Sequence, residues 1–538
     1  SDVDMTGVTW TPFDFSGTFK GNGLSIKNLT VTSSSGVLGV FKKLTGNISD
    51  VNFENLTVKS TSYNLVNVGG VCAEMTGGTI DKVTVSGSVT GDYCRLGGIV
   101  GYMTGGTLSN SANKADLKTD THETNNVFVG GLVGYQAGGT VTSCINYGKV
   151  ESKRYTGGVI GYATTISFVD LFNYGEVKGD YIAGGVIACF EKAGEYTIST
   201  ILTNYGKVSG KEQVGGVFGR FYDGWSQGYN SKENLLKLSN FSNNGAINGN
   251  NYVGGVIGYL NAQTWGSGTN GSVKVTITNI SNVGDVTGKT YVGGLFGYAY
   301  SDTGDSSVEN CASTAKITAE AYVGGIAGKL ENIKLISCEN EFSEISATGY
   351  VLDGTTYYGY VGGYVGYGYY IEDCHNAVEI TYTEQGMYVG GIAGRINNTI
   401  KNSTNTANVT AEKSSYVGGL VGELACNGGY EISEITNSGN VKGNEQVGGL
   451  IGKVIDCWEQ AYNSTTHNLK MMTLDNQGNV VGTHNVGGLI GYVYADTYGG
   501  GSNGSVLVIM SAISNSGNVT GETNTGYMIG QISTDNGN

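Results

Sequence analysis

The chain has 538 residues, 91 of them glycine and one proline, with 36 tyrosines and 9 cysteines. Abundant glycine without proline excludes collagen, and a composition 39% hydrophobic and 10% aromatic can bury a core, so the chain need not be disordered. Charged residues are only 14%, and 30 basic against 45 acidic side chains leave −15, which argues against nucleic acid or an anionic membrane as partner. The sequence opens Ser1-Asp2-Val3 without a charged, apolar leader, as expected of a mature or excised piece. No run approaches the ~18 apolar residues of a membrane span.

Residues 1–60 read as an N-terminal capping or first-coil segment. A repeat then begins. Val-Gly-Gly-aliphatic-x-Gly or a variant places its first glycine at 69, 97, 130, 157, 184, 215, 254, 293, 324, 362, 390, 418, 448 and 487, with a worn copy at Gly526. Units are 27 to 39 residues long. A longer period lies above them: Gly157 to Gly390, Gly215 to Gly448 and Gly254 to Gly487 are each 233 residues. Asn270-Gly271-Ser272-Val273 returns as Asn503-Gly504-Ser505-Val506, so the chain reads as two blocks, 61–293 and 294–538.

Within a unit such as Tyr155 to Lys178, short β-branched and aromatic runs at 158–162, 166–171 and 176–178 are divided by glycine and asparagine, which predicts three strands joined by tight turns. No capped 3.6-residue periodicity appears, so helices are expected to be few. Such a unit is too short for a propeller blade and cannot stand alone, but it makes one turn of a solenoid in which each strand pairs with its equivalent one coil away. The expected fold is all-β: a right-handed parallel β-helix of about sixteen coils, a rod about 75 Å long. Two columns test it. Cys144, Leu171, Leu202, Phe241, Ile280, Cys311, Cys374, Ile435, Leu474 and Ile513 fall at one apolar, inward position. Two residues later come Asn146, Asn173, Asn204, Asn243, Asn282, Asn376, Asn405, Asn437, Asn476 and Asn515, a residue that suits turns and whose amides can stack between coils.

The repeat resembles the GLUG motif of bacterial surface proteins, seen most clearly in Tyr-Val-Gly-Gly-Leu-Phe-Gly-Tyr at 291–298 followed by an Asn-x-Gly-x-Val turn. Trp10-Thr11-Pro12 and Phe19 to Ile26 are similar to the segment that commonly precedes such arrays. The resemblance implies an extracellular, cell-surface, adhesive or structural rod that binds host or microbial glycan or protein ligands. Such arrays also stand upstream of metallopeptidase domains, but His122, His375, His467 and His484 make no His-Glu-x-x-His motif.

Little else in the sequence points to chemistry. Cysteines in the inward column read as buried thiols, and no Cys-x-x-Cys pair suggests zinc. No catalytic residue, metal or cofactor is expected; structural calcium would have its best candidate in Ser301-Asp302-Thr303-Gly304-Asp305, without a supporting motif. The enzyme alternative, a polysaccharide lyase or hydrolase, lacks a carboxylate pair, since Glu372 and Asp373 are neighbours on one strand and point apart. Aromatics supply the candidate ligand-binding residues. Trp225 matches Trp458, and Trp265 matches Tyr498, under the long period. Tyr357, Tyr358, Tyr360 and Tyr364 belong to a tyrosine-rich segment, 350–370, present in one block only. The incomplete coil at Gly526 leads to the expectation that further chain or another subunit covers that end.

Overall fold

A computed structural model describes residues 1–538 apart from 35, 63, 120–126, 224–232, 264–271, 341–343, 353–354, 358, 386–387, 427–429, 457–466, 496–505 and 535–538. Strands and turns make up the described chain, with no helix. It forms two units, Ser1–Val273 with Ile280–Gly284, and Lys274–Asn279 with Asp285–Asn538.

Unit 1 builds its coils from four strands, one more than the sequence pattern predicts. In one coil these are Tyr155–Gly157, Ile160–Ala163, Phe168–Asn173 and Val177–Gly179. Each pairs in parallel and in register with the next coil: Gly157 with Gly184, Ile160 with Ile187, Asn173 with Asn204 and Val177 with Val208. The extra strand is the one that ends at the glycine pair. It belongs to a separate sheet, which in unit 1 has seven strands, from Val66–Gly69 to Asn251–Gly254. Before it begins, Thr18–Lys27 already pairs with Asn47–Ser60, and that strand with Cys72–Thr90, so residues 1–60 are themselves coiled.

Unit 2 repeats the plan. Its glycine strands run from Thr290–Gly293 to Thr523–Gly526, eight in all. Every repeat glycine read from the sequence therefore ends such a strand. One coil carries an antiparallel ribbon, Tyr350–Leu352 with Thr355–Tyr357. The parallel β-solenoid expected from the repeat is the architecture of both units.

The glycine pair is sterically required. A Cβ on Gly157 would lie 1.9 Å from the Ile160 carbonyl, and one on Gly158 would lie 1.9 Å from the Gly185 carbonyl and 2.4 Å from the Asn173 amide carbon. That second contact ties the two halves of the repeat together, because the asparagine lies against the glycine pair of its own coil. Asn173 Nδ2 donates to the Gly175 carbonyl (2.9 Å) and to Asn204 Oδ1 in the next coil (2.8 Å), while its Oδ1 accepts from Gly175 N–H (3.2 Å) and from Asn146 (2.8 Å). Amides buried without such partners are costly; here each is satisfied by its neighbours. Asn113, Asn146, Asn173, Asn204, Asn243 and Asn282 form one ladder in unit 1 at 2.7–2.8 Å. Asn376, Asn405, Asn437, Asn476 and Asn515 form another in unit 2 at 2.7–2.8 Å.

Leu171, Leu202, Phe241 and Ile280 fill the inward column of unit 1, and Ile435 and Leu474 that of unit 2. The eight described cysteines are buried thiols. Burial pushes the pKa of Cys72, Cys94, Cys144, Cys189 and Cys374 up, to about 12 for Cys144 and Cys189, which suppresses the reactive thiolate.

Candidate functional site

The outward positions of unit 2 form a strip of rings and cations. In five coils the residue before the Val-Gly-Gly valine begins it: Tyr291, Tyr322, Tyr360, Tyr388 and Tyr416 lie half-buried along consecutive coils, with ring centroids 4.5, 4.8, 4.7 and 4.5 Å apart. Parallel strands place equivalent residues one sheet spacing apart, which is also the distance at which offset aromatic rings attract. Tyr291 and Tyr322 sit at φ +54° and +53°, where Asn485 and Asn524 stand in later coils. An aromatic residue there is strained by about 1–2 kcal/mol, offset in part by the ring contacts.

Beside these rings runs a second column from the strand after the glycine pair. Register places Tyr298, Lys329, Tyr367, Arg395, Glu423, Lys453 and Tyr492 on successive coils. Lys329 Nζ lies 4.7 Å from the centre of the Tyr367 ring, Arg395 lies 5.8 Å from the same ring, and Lys453 lies 5.0 Å from that of Tyr416. Such contacts stabilise a cation while leaving part of it accessible. Glu423 is only 2% exposed and lies 3.1 Å from Arg395 and 3.7 Å from Lys453. Burial raises its pKa above the ordinary carboxylate value, against the pull of both cations.

Further along the strand that holds Tyr367, Tyr369 and Tyr370 line a pocket of about 280 Å³ with Gly304, Asp305, Lys334 and Asn398. Lys334 pairs with Asp305 at 3.2 Å and lies 5.7 Å from the centre of the Tyr370 ring, whose hydroxyl donates to Glu372 at 2.6 Å. A Cβ on Gly304 would lie 2.6 Å from the Tyr369 hydroxyl, so glycine lets that ring cover the turn. Rings, an ammonium, a carboxylate and an amide around one small concavity are the groups that recognise a polar ligand with apolar faces. The acidic turn Ser301–Asp305 thus contributes to this pocket through the Asp305–Lys334 pair. Among the described residues no cluster of three or more His, Cys, Asp or Glu is arranged to hold a metal ion. Glu372 and Asp373 engage different groups: Glu372 accepts from Tyr370, and Asp373 from Ser337 (3.2 Å) and Asn402.

The candidate ligand-binding residues fare unequally. Tyr360 lies in the strip. Tyr364 is 1% exposed, and its hydroxyl donates to the His375 carbonyl at 3.0 Å. It follows the glycine pair and points inward, so it is corrected from a surface residue to a core residue. Tyr357 ends a ribbon strand, and Trp225, Trp265, Trp458, Tyr498 and Tyr358 lie outside the described residues. The sequence reading missed Lys329, Arg395 and Lys453, although the slot after Gly-Gly-x-x-Gly varies visibly among Tyr, Lys, Arg and Glu. It also missed an exposed stack on unit 1. Tyr147, Tyr174 and Tyr205, from three Asn-Tyr-Gly turns, are 44–47% exposed, with centroids 5.3 and 4.5 Å apart.

Parallel coils closed by a glycine pair and an asparagine turn define a β-solenoid repeat protein. Residues 288–318 match the family model described as the GLUG motif. No curated protein and no solved structure matches it. No helix among the described residues is long and apolar enough to cross a membrane.

Proposed function

We propose that the chain is a non-catalytic, extracellular adhesive and structural module of a bacterial cell surface, and that it binds glycan through unit 2. The observation that carries this reading is the pocket lined by Tyr369, Tyr370, Lys334, Asp305 and Asn398, on the strand that also holds the strip residue Tyr367. The pocket's 280 Å³ suits one or two sugar rings rather than a folded partner. Tyrosine, lysine, carboxylate and amide groups match the alternating apolar faces and hydroxyl edges of a saccharide. The surface placement follows from the resemblance to bacterial surface arrays. The module needs neither cofactor nor metal for this task.

A glycan array run beside a reducing-sugar assay tests the reading. Binding without release of reducing ends is expected, and Tyr369→Ala with Lys334→Ala should weaken it at least about tenfold, the usual consequence of removing an aromatic anchor and its charged neighbour. Release of reducing ends would establish the polysaccharide-cleaving alternative. An array without any binder would remove the glycan reading.

A further inference from the structure

The spacing of charge along the strip identifies the kind of glycan. Lys329, Arg395 and Lys453 occupy the same outward position, each two coils from the next, with Tyr367 and Glu423 in the intervening coils. Two coils of a parallel sheet span about 9.6 Å. The ring ladder Tyr291–Tyr416 runs beside this column on the same pitch, so polar and aromatic groups recur once per coil and cations once per two coils. Side chains of Lys329, Arg395 and Lys453 are 19%, 27% and 17% exposed, whereas Glu423 lies beneath its cations at 2%. Glu331, itself 33% exposed, lies 3.1 Å from Lys329 and accepts from the Tyr298 hydroxyl at 2.7 Å, so three cations share the strip with two carboxylates, one of them buried. This is the reverse of the chain as a whole, whose formal charge is −15.

A pyranose in an extended chain advances by roughly one strand spacing, ~4.8 Å, so a sugar chain laid along the stack keeps step with the coils. We propose that unit 2 binds a linear acidic polysaccharide lying along its coil axis, one sugar per coil, with an anionic group on every second sugar set against Lys329, Arg395 and Lys453. The inference rests on the glycan reading above and adds the charge, the period and the direction of the ligand. The cations hold their positions against tyrosine rings before the ligand arrives, so little side-chain entropy is lost on binding.

Calorimetric titration of the full chain with three size-matched oligosaccharides tests it: hyaluronan, with a carboxylate on alternate sugars; oligogalacturonate, with one on every sugar; and cello-oligosaccharide, with none. Hyaluronan should bind at least about tenfold more tightly than the neutral oligomer, with affinity falling as salt is added. Lys329→Gln combined with Lys453→Gln keeps the Arg395–Glu423 pair and so should preserve the fold; it should weaken hyaluronan at least about tenfold and leave the neutral oligomer unchanged. Lys442→Gln, on the strand beyond the asparagine turn, should change neither. Equal binding of neutral and acidic chains, or hyaluronan affinity untouched by the double variant, would overturn the proposal. Oligogalacturonate binding as tightly as hyaluronan would overturn the alternate-sugar register. If the array finds binders yet none of the acidic probes binds, this inference fails alone; an empty array removes the glycan reading with it.

Discussion

Unit 1 displays stacked tyrosines on its asparagine turns, whereas unit 2 stacks them on its glycine strands. The coils are built alike, so the difference isolates what position does to a side chain. At an Asn-Tyr-Gly turn nothing overhangs the ring, and Tyr147, Tyr174 and Tyr205 stay 44–47% exposed. On the glycine strand rings lean on the outward column of the next strand, Tyr291 on Tyr298 at 6.1 Å and Tyr360 on Tyr367 at 5.8 Å. There the rings shape a surface and hold cations in it. The asparagine ladders differ as well. In unit 1 six amides follow one another, while in unit 2 the position holds buried Ser313, whose Oγ accepts from Ala315 N–H at a long 3.5 Å.

The largest loss of stability is expected at the glycine pair. Gly158→Ala should cost about 3 kcal/mol or more, because its Cβ would meet the Gly185 carbonyl at 1.9 Å and neither backbone can give way. Gly391→Ala in unit 2, where the equivalent contact is 2.3 Å, should cost less. Chemical denaturation of both variants ranks them, and an equal loss would show that the corner relaxes in both units.

Asn173→Ala and Asn476→Ala should each cost about 2–4 kcal/mol, since each strands the polar groups of a turn and of the neighbouring amides in the core. The tyrosines should separate more finely in the same measurement. Tyr388→Ala, half-buried between two rings, is expected to lose about 2 kcal/mol, and exposed Tyr174→Ala about 1 kcal/mol or less. Similar losses for the two would contradict the distinction drawn between the stacks. Ser313→Asn should stabilise unit 2 by about 1 kcal/mol if the larger amide is accommodated against Gly294.

The smallest expected effect is the pH dependence contributed by Glu423 in unit 2. Glu423 faces Arg395, Lys453 and the Tyr388 ring, and burial leaves its folded pKa above the unfolded value. Its contribution to stability is therefore fully present below the unfolded pKa of about 4.5 and declines as pH rises through the folded value. Glu423→Gln should remove that decline. Melting temperatures of the two proteins across pH 4–8 should diverge with rising pH in favour of the variant; curves that stay parallel would place the ionised Glu423 at no disadvantage.

Much of this architecture was legible because the repeat obeys contact rules that act at short range along the chain and between adjacent coils. Each first glycine, from Gly69 to Gly526, marks a real strand end, since only glycine fits where two backbones meet. The asparagine and apolar columns were legible for the same reason: a residue that must pair with its own equivalent recurs at a fixed offset. The fourth strand was not, because Tyr155–Gly157 runs directly into the next apolar residues and only the corner at the glycine pair divides them.

Tyr364 shows where pattern fails. In sequence it is one of a cluster of tyrosines; in the fold it takes the inward position held by Val159, Val186 or Leu420 in other coils and is buried. The sequence by itself determined the coil, its period and its internal columns, because these depend on steric fit and on like pairing with like. Only the tertiary structure decided the functional surface. Lys329, Arg395 and Lys453 are separated in the chain by 66 and 58 residues, and it is the parallel register that sets them in one row against the tyrosine rings.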